Sequence, residues 1–297
     1  MPTAGDTALD PAAARATATG AATGSAGEAA LVLVGGHESG GGERLRALAG
    51  GRSEWRAVGP GRALAGAVAA LLAQSDRPVC VVPMSLGRDP RLIADTARTL
   101  RWLSGPANSG RLALAEPFGG TEHLIGWLRG GTGRALAPPE GAPAGGTGTA
   151  GDGAAGEQAA GEPTAILLTA PAAGPFEDAE LFRIARLVRQ YRTHRWVEVA
   201  FENGDPSPAE GVERCRLLGA RRVVLLPAAF GAAPVVPGAE DGGPLLSSRA
   251  VAGVLRARAA GAVGRLLQGV DGIAAGLDAE HGHGFPHSHN SLAPHRH

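Results

Sequence analysis

LVLVGGHESG, at residues 31–40, contains the two features that decide the fold of this chain. The four leading Leu and Val residues form an unbroken apolar run, which is typical of a strand buried on both faces of a parallel sheet. Residues just beyond the carboxyl end of such a strand line the ligand crevice of open α/β sheets. We therefore expect His37, Glu38 and Ser39 to lie at a functional site, where a histidine can bind a metal or move a proton near neutral pH.

The composition argues against several classes of protein. The formal net charge of the 297 residues is zero, so no broad basic surface indicates a nucleic acid or a membrane as a partner. Cys80 and Cys215 are far apart in the sequence, which indicates a reducing compartment without a disulfide framework. No segment has the pattern of a secretory signal or of a membrane span. We expect a cytoplasmic protein.

Strand and helix patterns alternate twice along the chain, over residues 30–130 and again over 163–270. This alternation predicts two α/β domains with parallel sheets. Residues 1–29 are rich in Ala, Thr and Gly and are predicted to be a disordered N-terminal segment. Residues 131–162 read as a flexible Gly/Ala/Pro linker, and residues 271–297 as a flexible His-rich tail. The predicted strands cover 31–34, 55–58, 78–83, 111–115, 165–169, 196–201 and 223–227.

The two units are the same design repeated. VCVVP at residues 79–83 aligns with VVLLP at 223–227, and residues 117–128 align without a gap with 244–255. Two similar domains that face each other leave a cleft between them, which is the usual place for a sizeable ligand. At the repeat position of His37, however, the second unit has Pro171.

Four motifs carry a resemblance to a known family: GHES at 36–39, VVPMSLG at 81–87, VEVAFE at 197–202 and GARRVVLLP at 219–227. They resemble the CbiX/SirB sirohydrochlorin chelatases, in which the first motif is Gly-His-Gly-Ser. The resemblance implies two flavodoxin-like, chelatase-like halves that admit a tetrapyrrole and insert a divalent metal. Sirohydrochlorin and Co²⁺, Fe²⁺ or Ni²⁺ would be the substrates, with no organic cofactor. The product would serve cobalamin or sirohaem biosynthesis.

The chemistry of metal insertion assigns roles to the residues at the strand ends. Imidazole suits these borderline metals and also accepts protons, so His37 is predicted to be a metal ligand and catalytic base. Glu38 is either a compensating catalytic carboxylate or a side chain that points to solvent. Arginine forks hold carboxylates in pairs of hydrogen bonds, so Arg88 is a candidate clamp on the substrate, or else a solvated residue. The other predicted substrate-binding residues are Ser39, Met84 and Ser85.

Histidines elsewhere suggest a second way of handling metal. The family's second metal-binding His, expected after the strand that ends at Pro83, is missing here. Six histidines instead fall between residues 281 and 297, with an irregular spacing unlike that of a hexahistidine tag. Such a tract can hold divalent metals loosely. An alternative function is therefore a catalytically degenerate homologue that binds and delivers metal through its tail. Its predicted ligands are His281, His283, His287 and His289.

Overall fold

The structure, a computed structural model, describes residues 29–49, 55–137, 163–190 and 196–279. These residues form two four-stranded sheets in which every pair of neighbouring strands is parallel, and helices flank both sheets. The predicted α/β fold class is confirmed, and all seven predicted strands are present. The first sheet has the order β2-β1-β3-β4, with β1 Ala30–Gly35, β2 Trp55–Val58, β3 Val79–Met84 and β4 Leu112–Leu114. The second has the order β6-β5-β7-β8, with β5 Thr164–Pro171, β6 Trp196–Glu202, β7 Arg222–Pro227 and β8 Glu240–Asp241.

Some of the described helices begin directly after a capping residue. Asp89 accepts a hydrogen bond from the backbone N–H of Leu92, and Ser207 forms a capping box with Glu210. Each cap satisfies N–H groups that a helix start would otherwise leave unpaired. The helices are α1 Arg46–Ala49, α2 Arg62–Gln74, α3 Pro90–Leu103, α4 Thr121–Ala135, α5 Pro175–Gln190, α6 Pro208–Leu217, α7 Ser248–Leu266 and α8 Ile273–Leu277.

Strand β1 is buried on both faces, as its apolar run predicts. Leu31 and Leu33 point into a core that contains residues of both halves of the chain, and Val32 and Val34 point into a second core under α2 and α3. Successive side chains of a strand point to opposite faces, so a strand covered on both sides is apolar throughout. Strand β5 is buried in the same way at the centre of the second sheet.

The two halves exchange a helix. Helix α4 follows the first sheet in the chain but packs on β7 and α5 of the second half. Helix α7 follows the second sheet but packs on β3 and β4 of the first. The exchange explains why one apolar cluster joins both halves, with Leu128 on one helix and Leu255 on the other. The carboxyl ends of the two sheets are therefore held in fixed positions relative to each other by a shared core.

Three elements extend beyond the sequence prediction. Helix α4 continues to Ala135, into the segment predicted as a linker, where Gly131 and Thr132 are buried and Gly131 faces Leu226 of the second half. Strand β8 is not among the predicted strands, and α8 lies in the predicted tail, where Ile273 enters the core of the first half. Tertiary packing overrides weak local preference in each case. None of the described helices combines the length and apolar content needed to cross a bilayer.

Candidate functional site

His37 lies in a 3₁₀ turn directly after β1, at the carboxyl edge of the first sheet. The two preceding glycines make this turn possible, because a Cβ on Gly35 would lie 2.2 Å from the Ser39 Oγ. A Cβ on Gly36 would lie 1.9 Å from an Asp89 carboxylate oxygen. Because Gly35 and Gly36 have no side chains, the turn after β1 can approach the N-terminus of α3 closely.

Asp89 holds the imidazole of His37 in one orientation. Its Oδ2 lies 3.0 Å from the His37 Nδ1 and accepts a hydrogen bond of 3.3 Å from the His37 backbone N–H. Its Oδ1 caps α3 through the Leu92 N–H at 3.0 Å. Burial would raise the pKa of Asp89, but the hydrogen bonds and charge of His37, together with the Leu92 N–H, hold that pKa below its usual value. The carboxylate is therefore ionised and fixed at neutral pH.

The other ring nitrogen of His37 has no partner. In the neutral form of the ring, Nδ1–H donates to Asp89 and the lone pair is on Nε2, an assignment that follows from this hydrogen-bond pattern. The Nε2 atom is buried and has no hydrogen-bond partner among the described residues. Leaving a buried acceptor unsatisfied costs about 1–3 kcal/mol. A carboxylate on one nitrogen and a free lone pair on the other is the arrangement found in histidines that bind metals.

Glu38 is fully buried next to His37 and does not point to solvent. Its Oε2 accepts hydrogen bonds from the Ser85 Oγ at 2.9 Å and from the Leu86 N–H at 2.8 Å, and its Oε1 has no partner. Burial raises the pKa of Glu38, against the charge of Arg88 and these hydrogen bonds, which lower it. The carboxyl therefore takes up a proton at a higher pH than an exposed glutamate does.

Arg88 connects this site to the second half. Its side chain is 1% exposed, with Nε donating to the Glu177 backbone oxygen at 3.1 Å and Nη2 to the Asp178 Oδ1 at 3.2 Å. Burial lowers the pKa of Arg88, against the charges of Glu38 and Asp178, which raise it. The guanidinium is thus not solvated. The start of α5 engages its Nε and Nη2, and its buried Nη1 has no hydrogen-bond partner among the described residues.

The remaining predicted residues support the site from within. The Ser39 Oγ donates to the Gly36 oxygen at 3.1 Å and accepts from the Gly42 N–H at 3.2 Å, which closes the turn. Met84 is fully buried in the shared core, and Ser85 is 1% exposed beneath Glu38. Of the predicted residues that the structure describes, His37 is the one with a partly exposed side chain, at 21%. The predicted ligands His281, His283, His287 and His289 lie outside the described residues.

The join between the halves contains a small cavity beside this turn. The Phe230 N–H, after β7, donates to the Glu38 backbone oxygen at 2.9 Å. Next to it, a cavity of about 170 Å³ is lined by Arg44, Leu86, Phe230 and residues at the start of α7. Arg44 also forms an ion pair with Glu202 at the end of β6. The predicted cleft is therefore narrow here, and apolar side chains form most of its walls.

The Asp89-Pro90 pair is a sequence signal for a helix start, but it gives no sign that Asp89 is the partner of His37. The described residues contain no group of three or more His, Cys, Asp or Glu side chains able to hold a metal, so His37 and Asp89 are a two-residue arrangement. A signal was present, since Asp89 is a carboxylate in the segment after Pro83, where a second metal ligand is expected from the sequence. What was missing was the close approach at Gly36, which appears only in three dimensions.

No family model matches this sequence, and no curated protein matches it. Similar solved structures include SirB from Bacillus subtilis with Fe³⁺, at 13% identity and a TM-score of 0.44, with 80% of this chain and 98% of that chain aligned. Another is the sirohydrochlorin chelatase SirB from Bacillus subtilis subspecies spizizenii in complex with cobalt, at 12% identity and a TM-score of 0.43, with 80% and 95% aligned. Both carry the name of the family that the sequence motifs resemble. At this level of similarity, no residue role transfers to this chain.

Proposed function

We propose that this protein is a chelatase that inserts Co²⁺ or Fe²⁺ into sirohydrochlorin, in cobalamin or sirohaem biosynthesis. The observation that carries the proposal is the buried, unpartnered Nε2 of His37 on a ring oriented by Asp89. A histidine prepared in this way binds a borderline divalent metal through the free nitrogen. Its position after a central strand, at the join of two halves, is where α/β folds bind ligands.

One protein donor suits a metal that must be passed on. His37 supplies its Nε2, while Asp89 holds the ring from the Nδ1 side, so most of the coordination sphere is left to water and to the incoming pyrrole nitrogens. A site that completed the sphere from the protein would hold the metal too tightly to release it. The pyrrole nitrogens therefore replace water first and His37 last, and the metal moves from the protein into the macrocycle.

Insertion also releases two pyrrole protons, which need an acceptor. His37 accepts a proton once its nitrogen has given up the metal, and Glu38 lies next in the chain with an unpartnered Oε1. Its raised pKa makes it a stronger base than an ordinary carboxylate. In this proposal Ser85 and Arg88 act through Glu38, which they surround, while Ser39 and Met84 support the turn and the core.

The test is metal insertion into sirohydrochlorin, followed by the change in its absorbance with Co²⁺ and with Fe²⁺. We expect His37→Ala to lower kcat/KM at least 100-fold, because it removes both the metal ligand and a proton acceptor. His194→Ala removes a histidine from the second half and serves as the matched control. A His37→Ala protein that is folded by circular dichroism and inserts metal at the wild-type rate would overturn the proposal.

A second candidate function is favoured by the six histidines between residues 281 and 297. In that case the protein binds and delivers metal without inserting it. A chain that ends at Leu277 separates the two functions. Insertion that survives this truncation supports the chelatase. Absence of insertion by the full chain with either metal, combined with Co²⁺ binding in equilibrium dialysis that the truncation removes, supports metal delivery instead.

A further inference from the structure

A second cavity lies between the two exchanged helices, α4 and α7, beyond the end of β4. Its volume is about 230 Å³, which suits a ligand of one or two rings rather than a drug-sized molecule. None of its lining residues belongs to the His37 site. They are Glu116, Phe118, His123, Trp127, Val254, Ala257, Arg258, Gly261 and Arg265.

One wall of this cavity is aromatic and the opposite wall is small. The Trp127 ring lies 5.5 Å from the Phe118 ring and 5.7 Å from the His123 ring, measured between centroids. Helix α7 contributes Ala257 and Gly261 to the cavity. Because these residues are small, the space beside the rings stays open. A slot between an aromatic wall and small residues fits a flat ring, which gains both burial and stacking.

The charged groups of the cavity favour an anion. Arg258 and Arg265 are seven residues apart on α7, and both form ion pairs with Glu116. Two arginines and one carboxylate leave a formal charge of +1. The Glu116 side chain is 57% exposed, and such solvated ion pairs contribute little free energy, so another carboxylate can replace it.

A hydrogen-bond donor stands at the other end of the aromatic wall. The Gly120 backbone N–H donates to the His123 Nδ1 at 3.2 Å, so the neutral ring carries its proton on Nε2. The cavity therefore offers guanidinium and imidazole donors, with Glu116 as its one carboxylate acceptor. Arginine pairs hold planar carboxylates in a fixed geometry.

We propose that this cavity is a binding site for a flat aromatic carboxylate. The ring lies against Trp127, and the carboxylate replaces Glu116 on Arg258 and Arg265. This site does not depend on metal insertion at His37, and the two proposals stand or fall separately.

Titration calorimetry of the full chain with 2-naphthoate tests the site. We expect saturable binding of one equivalent, at least tenfold weaker binding of neutral 2-naphthamide, and at least tenfold weaker binding of acetate, which lacks the ring. The Arg258→Gln/Arg265→Gln variant should lose at least tenfold in affinity for 2-naphthoate. The matched control is Arg249→Gln/Arg256→Gln, which changes two exposed arginines of the same helix that do not line the cavity and should bind as wild type does.

Glu116→Gln gives the sharpest result, because the proposal predicts a gain. Removing the competing carboxylate frees both arginines, so affinity for 2-naphthoate should rise about threefold or more while 2-naphthamide is unaffected. A purely structural role for Glu116 predicts a loss or no change. The proposal is overturned if 2-naphthoate does not saturate, if the two arginine double variants bind alike, or if Glu116→Gln weakens binding or leaves it unchanged.

Discussion

The ends of β1 and β5 are the same position in two copies of one fold, and they differ in chemistry. After β1 the chain forms a turn that carries His37 and Glu38, whereas β5 ends at Pro171 and is followed by Ala172. Four buried polar residues surround the first position, namely Glu38, Ser39, Ser85 and Arg88. In the second half as described, the buried polar residue is Thr169. Both copies therefore have an apolar central strand, and in the first copy that strand is followed by His37 and Glu38.

The second half contributes to the site by holding the first in place. The start of α5 receives Arg88, through the Glu177 backbone oxygen and Asp178. The loop after β7 donates the Phe230 N–H to the Glu38 backbone oxygen. The second copy has no imidazole at the matching position, and it still fixes the geometry of the copy that has one.

The largest expected effect comes from removing Arg88. Arg88→Ala leaves the buried Glu38 and the partly buried Asp178 without their cation, so we expect a loss of about 3–5 kcal/mol in the free energy of unfolding. The matched change in the second half is Ala232→Ser, at an exposed position, with an effect within about 0.5 kcal/mol. Urea denaturation measures both. Equal losses of unfolding free energy in Arg88→Ala and Ala232→Ser would mean that the contacts of Arg88 with the second half do not distinguish the two halves.

Helix caps give a comparison of intermediate size. Asp89→Ser keeps a good cap on α3 but removes the carboxylate that orients His37, so Co²⁺ affinity should fall about 10–100-fold with stability nearly unchanged. Ser207→Ala removes the cap of α6 in the second half and should lower stability by about 1 kcal/mol, without changing Co²⁺ affinity. Titration with Co²⁺ and urea denaturation separate the two effects. If the Asp89→Ser protein binds Co²⁺ with wild-type affinity, Asp89 has no role in metal binding at His37.

The smallest effect is a dependence of stability on pH. Burial raises the pKa of Glu38 above the value of 4.5 that applies to the unfolded chain, so the folded protein holds this proton more tightly. The protonated Glu38 carboxyl contributes fully to stability below the unfolded pKa of 4.5, and this contribution is lost as the pH rises through the pKa of the folded protein. Stability relative to Glu38→Gln should therefore fall as the pH rises above the unfolded value of 4.5, with a slope of at most about 1.4 kcal/mol per pH unit. If the difference in unfolding free energy between wild type and Glu38→Gln does not vary with pH, the Glu38 carboxyl is in contact with water rather than buried.

Much of the fold could be predicted because it rests on local patterns. The strand positions follow from apolar runs, and the starts of α3 and α6 follow from Asp89-Pro90 and Ser207-Pro208. The far end of α4 could not be predicted in this way, because its glycines disfavour a helix and only contact with the second half stabilises one there. The same holds for α8, whose short apolar segment gains its stability from α3.

The sequence by itself determined that the chain forms two parallel α/β halves and that one imidazole follows the first central strand. Both are properties of short segments, in which the order of apolar and polar residues is enough. Tertiary structure alone decided that α4 and α7 are exchanged, that Asp89 faces His37, and that Arg88 is buried against α5. These contacts join residues far apart in the chain, and they depend on how two surfaces pack, which no local pattern encodes.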